Sequence, residues 1–524
     1  MKPRPRCLAP LLAAGCAGAA VWAAFPPVGA WWAAPLGLAV LASVLRARGP
    51  WAGAGLGLVF GLALFTPLLH FTAVAMGNPV GWAALTAVES FYLAAFGAAW
   101  ALVGRIRRLE RPGGAAVLAR ILAFTVLWCG VEEVRSSWPW GGFPFGRLAF
   151  ATADAPMLPF AAYGGAAGLT ALVACAGGAL AETAHALRRR RGLDALLAAS
   201  LAGLVVFAPV LAPVDGSAQD GTLRVGAVQG NVAEEFEDAF NRALEVTGNH
   251  AEATLVLADD VGWGTLDVVI WPENAADLDP RDFSASAALV DSAAQAVGAP
   301  VLVGAISYAD NVRYNDMVVW SPGQGAGEYY RKHRPVPFAE YVPLREQLRH
   351  LSGQVDRIGT DLAPGTGPQT LTVHAAVQDR DVKLAMGICF EVAYEDTLRD
   401  GVEQGGELIV IPTNNASFLH SSEAEQQLAQ GRVQAVIHGR ALVQVSTVGV
   451  TAVINPRGVV EQRTQPYTQA ALVADVPLRT SVTVADRLGA LPGLALEGGA
   501  ALLAVAGMVS GVSRPRRRRR LRRA

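Results

Sequence analysis

The sequence predicts a membrane-embedded α-helical bundle of eight spans joined to an extracytoplasmic α/β domain. Three observations support this prediction. Hydrophobic residues make up 52% of the 524 residues and charged residues only 17%, and the mean hydropathy of +0.32 is higher than in ordinary soluble domains. Long apolar stretches fill the first part of the chain. Basic residues recur in every second loop between these stretches.

Eight apolar stretches are long enough to cross a bilayer. Seven of them come before the α/β domain and one follows it. We place the spans at residues 8–24, 28–45, 51–71, 80–103, 115–131, 157–181, 195–211 and 491–512.

The distribution of basic residues orients these spans, because short cytoplasmic loops are enriched in Lys and Arg. Basic residues precede the first span and follow the second, fourth, sixth and eighth, whereas the turns after the first and third contain none. Both termini are therefore predicted to be cytoplasmic, and the segment between spans seven and eight to lie outside the cell. The residues concerned are Lys2, Arg4, Arg6, Arg46, Arg48, Arg105, Arg107, Arg108, Arg111, Arg188 to Arg191, Arg514, Arg516 to Arg520, Arg522 and Arg523.

The arginine-rich tail after the last span has two interpretations. Such a charge block is typical of nucleic-acid binding, or of anchoring to anionic lipid. Its position directly after a span favours lipid, so a membrane and no nucleic acid is the expected partner.

Cys16 resembles the cysteine of a lipoprotein signal, since basic residues and an apolar run precede it. Ala13, three residues earlier, and the six further spans argue against cleavage. We interpret Cys16 as a packing residue in the membrane.

From about residue 222 to 478 the composition changes to that of an α/β domain. We expect domains at 1–214 (seven spans), 220–480 (the α/β domain) and 488–524 (the last span and tail).

The five cysteines show no spaced framework, so neither disulfides nor a metal site is expected. No Gly-rich phosphate loop follows a predicted strand, so no nucleotide-binding site is expected. Strands are predicted at 223–229, 267–271, 301–306, 317–320, 383–388, 407–411, 442–446 and 451–454, and helices at 284–297 and 423–438.

Cys389 ends an apolar, strand-length run and is followed by a segment with helical character. A nucleophile is often held in this way at a strand end, although most unpaired cysteines are small buried hydrophobic residues. Glu273 likewise ends a buried-strand pattern, after Pro272. Lys332 and Glu340 lie in a loop stiffened by prolines.

In this order and in these motifs, Glu273, Lys332 and Cys389 resemble the Glu-Lys-Cys triad of the carbon-nitrogen hydrolase (nitrilase) superfamily. Within it, the proline-rich loop around Glu340 is most similar to that of the apolipoprotein N-acyltransferase family. The resemblance covers nearly the whole chain. It implies a nitrilase-like αββα sandwich and a reaction without metal or organic cofactor.

The resemblance also implies roles for single residues. Glu273 is the general base for Cys389, and Lys332 stabilises the oxyanion. Glu340 is expected to orient Lys332 or to share with Glu273 the proton taken from the nucleophile. The alternative interpretation of Glu340 is an ordinary surface carboxylate. Phe390 and Glu391 are expected to support the substrate pocket, and Glu391 also suits a helix cap.

Several positions depart from the family pattern. Phe390 stands where the family usually has Tyr, so a hydroxyl role there is absent. Asn415 and Ser417 replace an acid and a tryptophan, Thr447 occupies the region of an expected Asn, and Ala339 replaces a usual Gly. These differences concern substrate preference more than reaction type.

Two membrane features have open interpretations. The loop at residues 135–147 alternates aromatic residues with Pro and Gly, which suits an anchor at the bilayer boundary or a path for lipid. Glu89 is an acid near the middle of a span, which suits either a functional site or a hydrogen bond between helices.

A soluble amidase has no need of eight spans, whereas an enzyme acting on lipid does. The resemblance therefore implies transfer of an acyl chain from a membrane phospholipid to the N-terminal α-amino group of a diacylglyceryl apolipoprotein, through a Cys389 thioester. The enzyme would be a multi-pass protein of the cell membrane. The alternatives are a membrane-tethered hydrolase of small amides and a catalytically silent relative that binds lipoproteins.

Overall fold

The computed structural model describes residues 5–232, 244–350 and 358–512. A helical bundle precedes an α/β domain, and one long helix follows it. The helices are α1 (Pro5–Trp22), α2 (Ala33–Leu45), α3 (Pro50–Leu68), α4 (Phe71–Met76), α5 (Pro79–Val103), α6 (Gly114–Ser137), α7 (Ala161–Arg188), α8 (Gly192–Phe207), α9 (Glu245–Val261), α10 (Ser284–Val297), α11 (Arg345–Arg349), α12 (Glu395–Glu403), α13 (Glu423–His438), α14 (Val484–Leu488) and α15 (Leu491–Val512). The strands are β1 (Thr222–Gln229), β2 (Val268–Ile270), β3 (Val301–Ala309), β4 (Val312–Ser321), β5 (Gly325–Arg331), β6 (Thr370–Ala375), β7 (Arg380–Met386), β8 (Leu408–Thr413), β9 (Leu442–Ser446), β10 (Ala452–Ile454), β11 (Val460–Arg463) and β12 (Ala470–Pro477).

Apolar helices confirm a membrane protein with several spans. Among the described residues, six helices are long and apolar enough to cross a bilayer, and the segments Leu8–Trp22 and Ala33–Leu45 form shorter apolar helices. The count of eight spans therefore stays a prediction. The basic residues at positions 2 and 4 and those of the arginine-rich tail lie outside the described residues.

Small residues bring the helices of the bundle close together. A Cβ added to Gly57 on α3 would lie 2.0 Å from the carbonyl oxygen of Leu93 on α5. A Cβ on Gly130 of α6 would lie 2.4 Å from the Cβ of Ala500 on α15. Such close backbone approach is how apolar helices gain packing energy within lipid. The last helix thus packs on the bundle, although the α/β domain separates it from the others in sequence.

The α/β domain contains two six-stranded sheets with the orders β12-β1-β2-β3-β4-β5 and β11-β10-β9-β8-β7-β6. Apolar side chains of both sheets form one shared core between them. A second core lies between the first sheet and α9 and α10, and a third between the other sheet and α12 and α13. The layers are therefore α, β, β and α, which confirms the predicted sandwich.

Four strands that the sequence patterns do not predict are the outermost strands of the two sheets: β5, β6, β11 and β12. An edge strand is paired on one side only, and the residues of β5, β11 and β12 are mostly partly or fully exposed, whereas four of the six residues of β6 are buried. The sequences of β5 and β11 therefore lack the continuous apolar run that marks the central strands.

The α/β domain is seated on one end of the bundle. Gln426 of α13 donates a hydrogen bond to the carbonyl oxygen of Leu68, at the C-terminal end of α3, at 3.2 Å. Glu395 accepts one from the backbone N–H of Ala166 at 2.9 Å, where Gly165 interrupts the helical conformation near the start of α7. Buried residues of α13 also belong to the core of the bundle. The two parts are therefore joined by polar and apolar contacts.

Candidate active site

Cys389 lies just beyond the C-terminal end of β7 and begins a short 3₁₀ turn, Cys389–Ala393. Its φ of 55° is in the left-handed region, which a non-glycine residue adopts only at a cost. The side chain is half-buried. A strained turn that presents a thiol at a strand end is typical of a nucleophile.

Glu273 follows β2 and is 4% exposed. Its Oε1 accepts hydrogen bonds from Asn315 Nδ2 at 2.6 Å and Lys332 Nζ at 3.4 Å, and its Oε2 accepts one from the backbone N–H of Asn414 at 2.9 Å. Burial raises the pKa of Glu273, while Lys332 opposes the shift. A carboxylate with a raised pKa is a stronger base than an exposed glutamate.

Lys332 directly follows β5 and is 1% exposed. Its ammonium group lies 2.7 Å from Glu340 Oε1, closer than to Glu273. Burial alone would lower the pKa of Lys332, but the carboxylates of Glu340 and Glu273 raise it above its usual value. Lys332 is therefore a permanent cation and hydrogen-bond donor at neutral pH.

The three predicted triad residues act on one another electrostatically. Burial raises the pKa of the Cys389 thiol well above its usual value, Glu273 raises it further, and Lys332 lowers it. The thiol is therefore neutral at pH 7 and requires a base before it can attack. Glu273 comes from the first sheet and Cys389 from the second, so the site lies where the two sheets meet.

Glu340 connects Lys332 to its own loop. One carboxylate oxygen accepts from Lys332, and the other accepts from the backbone N–H of Val336 at 2.7 Å. This geometry fits the orienting role that the resemblance implies and not that of an unattached surface acid.

Glu391 is fully buried and accepts four hydrogen bonds. Oε1 accepts from the backbone N–H groups of His333 and Arg334, both at 2.8 Å. Oε2 accepts from Ile388 N at 2.7 Å and from the Tyr330 hydroxyl at 2.8 Å. The carboxylate therefore fastens the backbone after Lys332 to the backbone before Cys389, which makes it a support for the site.

Phe390 packs in the apolar core of the bundle. Its ring stacks on Phe145 with a centroid distance of 5.5 Å and an interplanar angle of 8°, and it packs on Phe143 at 5.5 Å and 33°. Phe143 and Phe145 belong to the loop before α7 for which an anchor or a lipid path is predicted. We call Phe143, Phe145 and Phe390 the aromatic wall. In the same loop, Trp138 and Trp140 are 65% and 46% exposed, as suits a bilayer anchor.

A second network of buried polar side chains begins at Thr413, next to Cys389, and ends at Glu423. The Thr413 hydroxyl hydrogen-bonds the thiol and also donates to Gln427 Oε1 at 3.1 Å. Asn415 Nδ2 donates to Gln427 Oε1 at 3.0 Å and to Glu423 Oε2 at 2.6 Å. Burial raises the pKa of Glu423 to about 8, so the group is mostly protonated at neutral pH. Asn415, which departs from the family pattern, thus faces a neutral acid.

Four residues of the site are not predicted from the sequence: Asn315, Tyr330, Thr413 and Glu423. Asn315 and Asp316 are buried polar residues of β4. These two polar residues directly precede the predicted strand 317–320, and this position at a strand end is the sequence signal that indicates a role in the site. The contact between Glu423 and Asn415 spans eight residues and two elements, and no local pattern marks it.

Comparisons with known proteins agree with this architecture. Residues 17–179 match the family model described as the apolipoprotein N-acyltransferase N-terminal domain, and residues 224–485 match that of carbon-nitrogen hydrolase. A relative from Mycolicibacterium smegmatis (strain ATCC 700084 / mc(2)155) is 37% identical, with 98% of this chain and 88% of the relative covered. One from Azotobacter vinelandii (strain DJ / ATCC BAA-1303) is 30% identical, with 92% of each covered. Both bear the name apolipoprotein N-acyltransferase, and the chain belongs to that family.

Proposed function

We propose that this protein transfers an acyl chain from a membrane phospholipid to the N-terminal α-amino group of diacylglyceryl-cysteine in apolipoproteins. The observation that carries the proposal is that Lys332 Nζ lies 3.4 Å from Glu273 Oε1 and that both groups act electrostatically on Cys389, in a domain seated on a membrane bundle. The names of the relatives support the choice of substrates.

In the first half-reaction, Glu273 takes the proton of the Cys389 thiol as Sγ attacks the carbonyl carbon of a phospholipid ester. The resulting oxyanion accepts hydrogen bonds from Lys332 and from a backbone N–H beside Cys389. When the C–O bond breaks, Glu273 returns the proton to the departing oxygen. The products are a thioester on Cys389 and a lysophospholipid.

In the second half-reaction, the α-amino group of the lipoprotein attacks the thioester carbon. Glu273 accepts a proton from the attacking amine, Lys332 again stabilises the oxyanion, and the C–S bond breaks. The Cys389 thiolate recovers the proton from Glu273, and an amide is left on the lipoprotein.

Three further residues support this chemistry in the proposal. Glu340 orients Lys332, and the 2.7 Å contact between them supports this role. Glu391 holds the turn at Cys389 in register with the loop after Lys332. Phe390 contributes apolar surface for the acyl chain next to the nucleophile.

The proposal includes the topology. In the proposed topology the chain has eight spans, both termini are cytoplasmic and the catalytic domain is outside, with domains at 1–214, 220–480 and 488–524. The basic loops follow the C-terminal ends of α2, α5 and α7, whereas the catalytic domain contacts the C-terminal end of α3 and the start of α7. Because consecutive spans alternate in direction and the six-residue helix α4 is too short to be a span, these contacts and the basic loops lie at opposite ends of the bundle, which supports this orientation.

A transfer assay tests the proposal. The purified protein in mixed micelles receives phosphatidylethanolamine or, in parallel, phosphatidylglycerol with a labelled acyl chain, together with a synthetic diacylated lipopeptide. We expect amide-linked label on the lipopeptide with the wild type and none with Cys389→Ala. Cys16→Ala is the matched control, since Cys16 is exposed on α1. Hydrolysis of small amides without any acyl transfer would instead identify a hydrolase.

A further inference from the structure

Glu89 and Arg135 form a buried ion pair inside the bundle. Glu89 lies on α5 and Arg135 in the last turn of α6, and each residue is 2% exposed. Arg135 Nη1 is 2.6 Å from Glu89 Oε2. An ionised pair in a membrane domain is costly to bury, so its retention calls for a specific local role.

Arg135 also binds the backbone of the loop that carries the aromatic wall. The same Nη1 donates to the carbonyl oxygens of Phe143 and Phe145, both at 2.9 Å. The guanidinium group further lies over the ring of Phe65 on α3, 5.3 Å from its centroid. One side chain thus ties two helices to two backbone positions of this loop, and Glu89 fixes the side chain in place.

The two carbonyl groups held in this way belong to Phe143 and Phe145, whose rings pack on Phe390. Because Phe390 directly follows Cys389, this packing connects the bundle to the residue next to the nucleophile. Phe390 and Phe145 belong to the apolar core of the bundle, and Phe143 packs against it partly exposed. A continuous apolar surface therefore runs from the membrane helices to the turn that bears the thiol.

We propose that Glu89 and Arg135 are positioning residues that set the aromatic wall as the surface against which the transferred acyl chain lies. The inference rests on the proposed function, because it concerns the chain that Cys389 receives from phospholipid. Without the pair, the loop carbonyl groups lose their shared donor and the rings lose their alignment with Phe390. Long acyl chains then lose contacts that an acetyl group never makes.

The experiment measures the rate of acyl-enzyme formation on Cys389 with two donors, dipalmitoyl phosphatidylglycerol in micelles and p-nitrophenyl acetate. For Arg135→Gln we expect roughly a 10-fold to 100-fold slower reaction with the long-chain donor, the range in which misplaced positioning groups act. Reaction with the acetyl ester should stay within about twofold, since the thiol and its base are untouched. Arg135→Lys keeps a cation against Glu89 and should lie between the wild type and Arg135→Gln.

Glu182→Gln is the matched control. Glu182 is also a buried acid of the bundle and accepts from Arg120 at 2.6 Å and from Arg46; none of its hydrogen bonds within the described residues involves the aromatic wall. The Glu182→Gln variant should have lower thermal stability, but the ratio of its acylation rates with the long-chain donor and with p-nitrophenyl acetate should equal that of the wild type. A general loss of packing would affect the control variant as it affects Arg135→Gln.

A double-mutant cycle separates positioning from plain stability. If Arg135 acts through the wall, Arg135→Gln should add little to the effect of Phe145→Leu on the long-chain rate. Additive effects, or equal slowing with both donors, would overturn the inference while leaving the proposed function intact. A wild-type enzyme that takes no acyl chain from phospholipid would overturn the proposed function, and the inference with it. If Arg135→Gln does not fold, Arg135→Lys and the Phe145→Leu cycle give the same decision.

Discussion

Replacing Glu391 by Gln tests whether one buried carboxylate holds the two halves of the site together. Each of its oxygens accepts two hydrogen bonds. An amide keeps one oxygen as an acceptor, and its amino group can donate to the Tyr330 hydroxyl but meets the backbone N–H of Ile388 as donor against donor, so at least one acceptor contact is lost. A hydrogen bond to a charged group contributes about 1.5–3 kcal/mol, so the lost contact amounts to at least roughly that free energy. This free energy is divided between protein stability and the alignment of Lys332 with Cys389.

The assay combines thermal unfolding in detergent with the rate of acyl-enzyme formation. We expect Glu391→Gln to unfold at lower temperature and to form acyl-enzyme about 10-fold more slowly, which corresponds to about 1.4 kcal/mol in the barrier. Tyr330→Phe is the control, since it removes one of the four donors and leaves the carboxylate. A Gln variant with wild-type melting temperature and a rate within twofold of wild type would refute the reasoning.

Three further predictions concern neighbouring residues. Lys332→Met should slow acyl-enzyme formation by about 10²–10³-fold, as measured by quenched flow, because an oxyanion donor is lost; a loss below tenfold would contradict this role. The rate should fall as pH drops through the pKa of Glu273, which burial holds above the ordinary 4.5, and Glu273→Gln should abolish it at every pH. Because the pKa of Glu423 is raised to about 8, the folded state binds a proton that the unfolded state releases above about 4.5. Wild-type thermal stability should therefore fall as pH rises from 5 to 8, and Glu423→Gln should flatten that slope; equal slopes would contradict the burial argument.

The sequence was sufficient for the central strands and the residues at their ends. Strand β2 and the last three residues of β7, Leu384 to Met386, are buried on both faces, so each appears as an apolar run. The polar residue that follows such a run is placed at the rim of a sheet. The positions of Glu273 and Cys389 were therefore predictable. The edge strands β5 and β11 were not, because most of their residues are exposed and their sequences carry no continuous apolar run.

The supporting contacts required coordinates. Glu391 reaches the backbone of His333, 58 positions away, and Arg135 reaches Glu89 from another helix. The sequence shows each as an isolated charge, for which a helix cap or a bond between helices is as reasonable as a role in the site. Only the fold decides which charges meet, because hydrogen-bond partners distant in sequence leave no periodic pattern.

The most direct test of the account is the mass of the intact enzyme after incubation with phospholipid alone. We expect one acyl chain in thioester linkage, located on Cys389 by peptide mapping, released by neutral hydroxylamine and discharged when diacylated lipopeptide is added. An enzyme that transfers acyl chains to the lipopeptide while Cys389 remains an unmodified thiol throughout would contradict it.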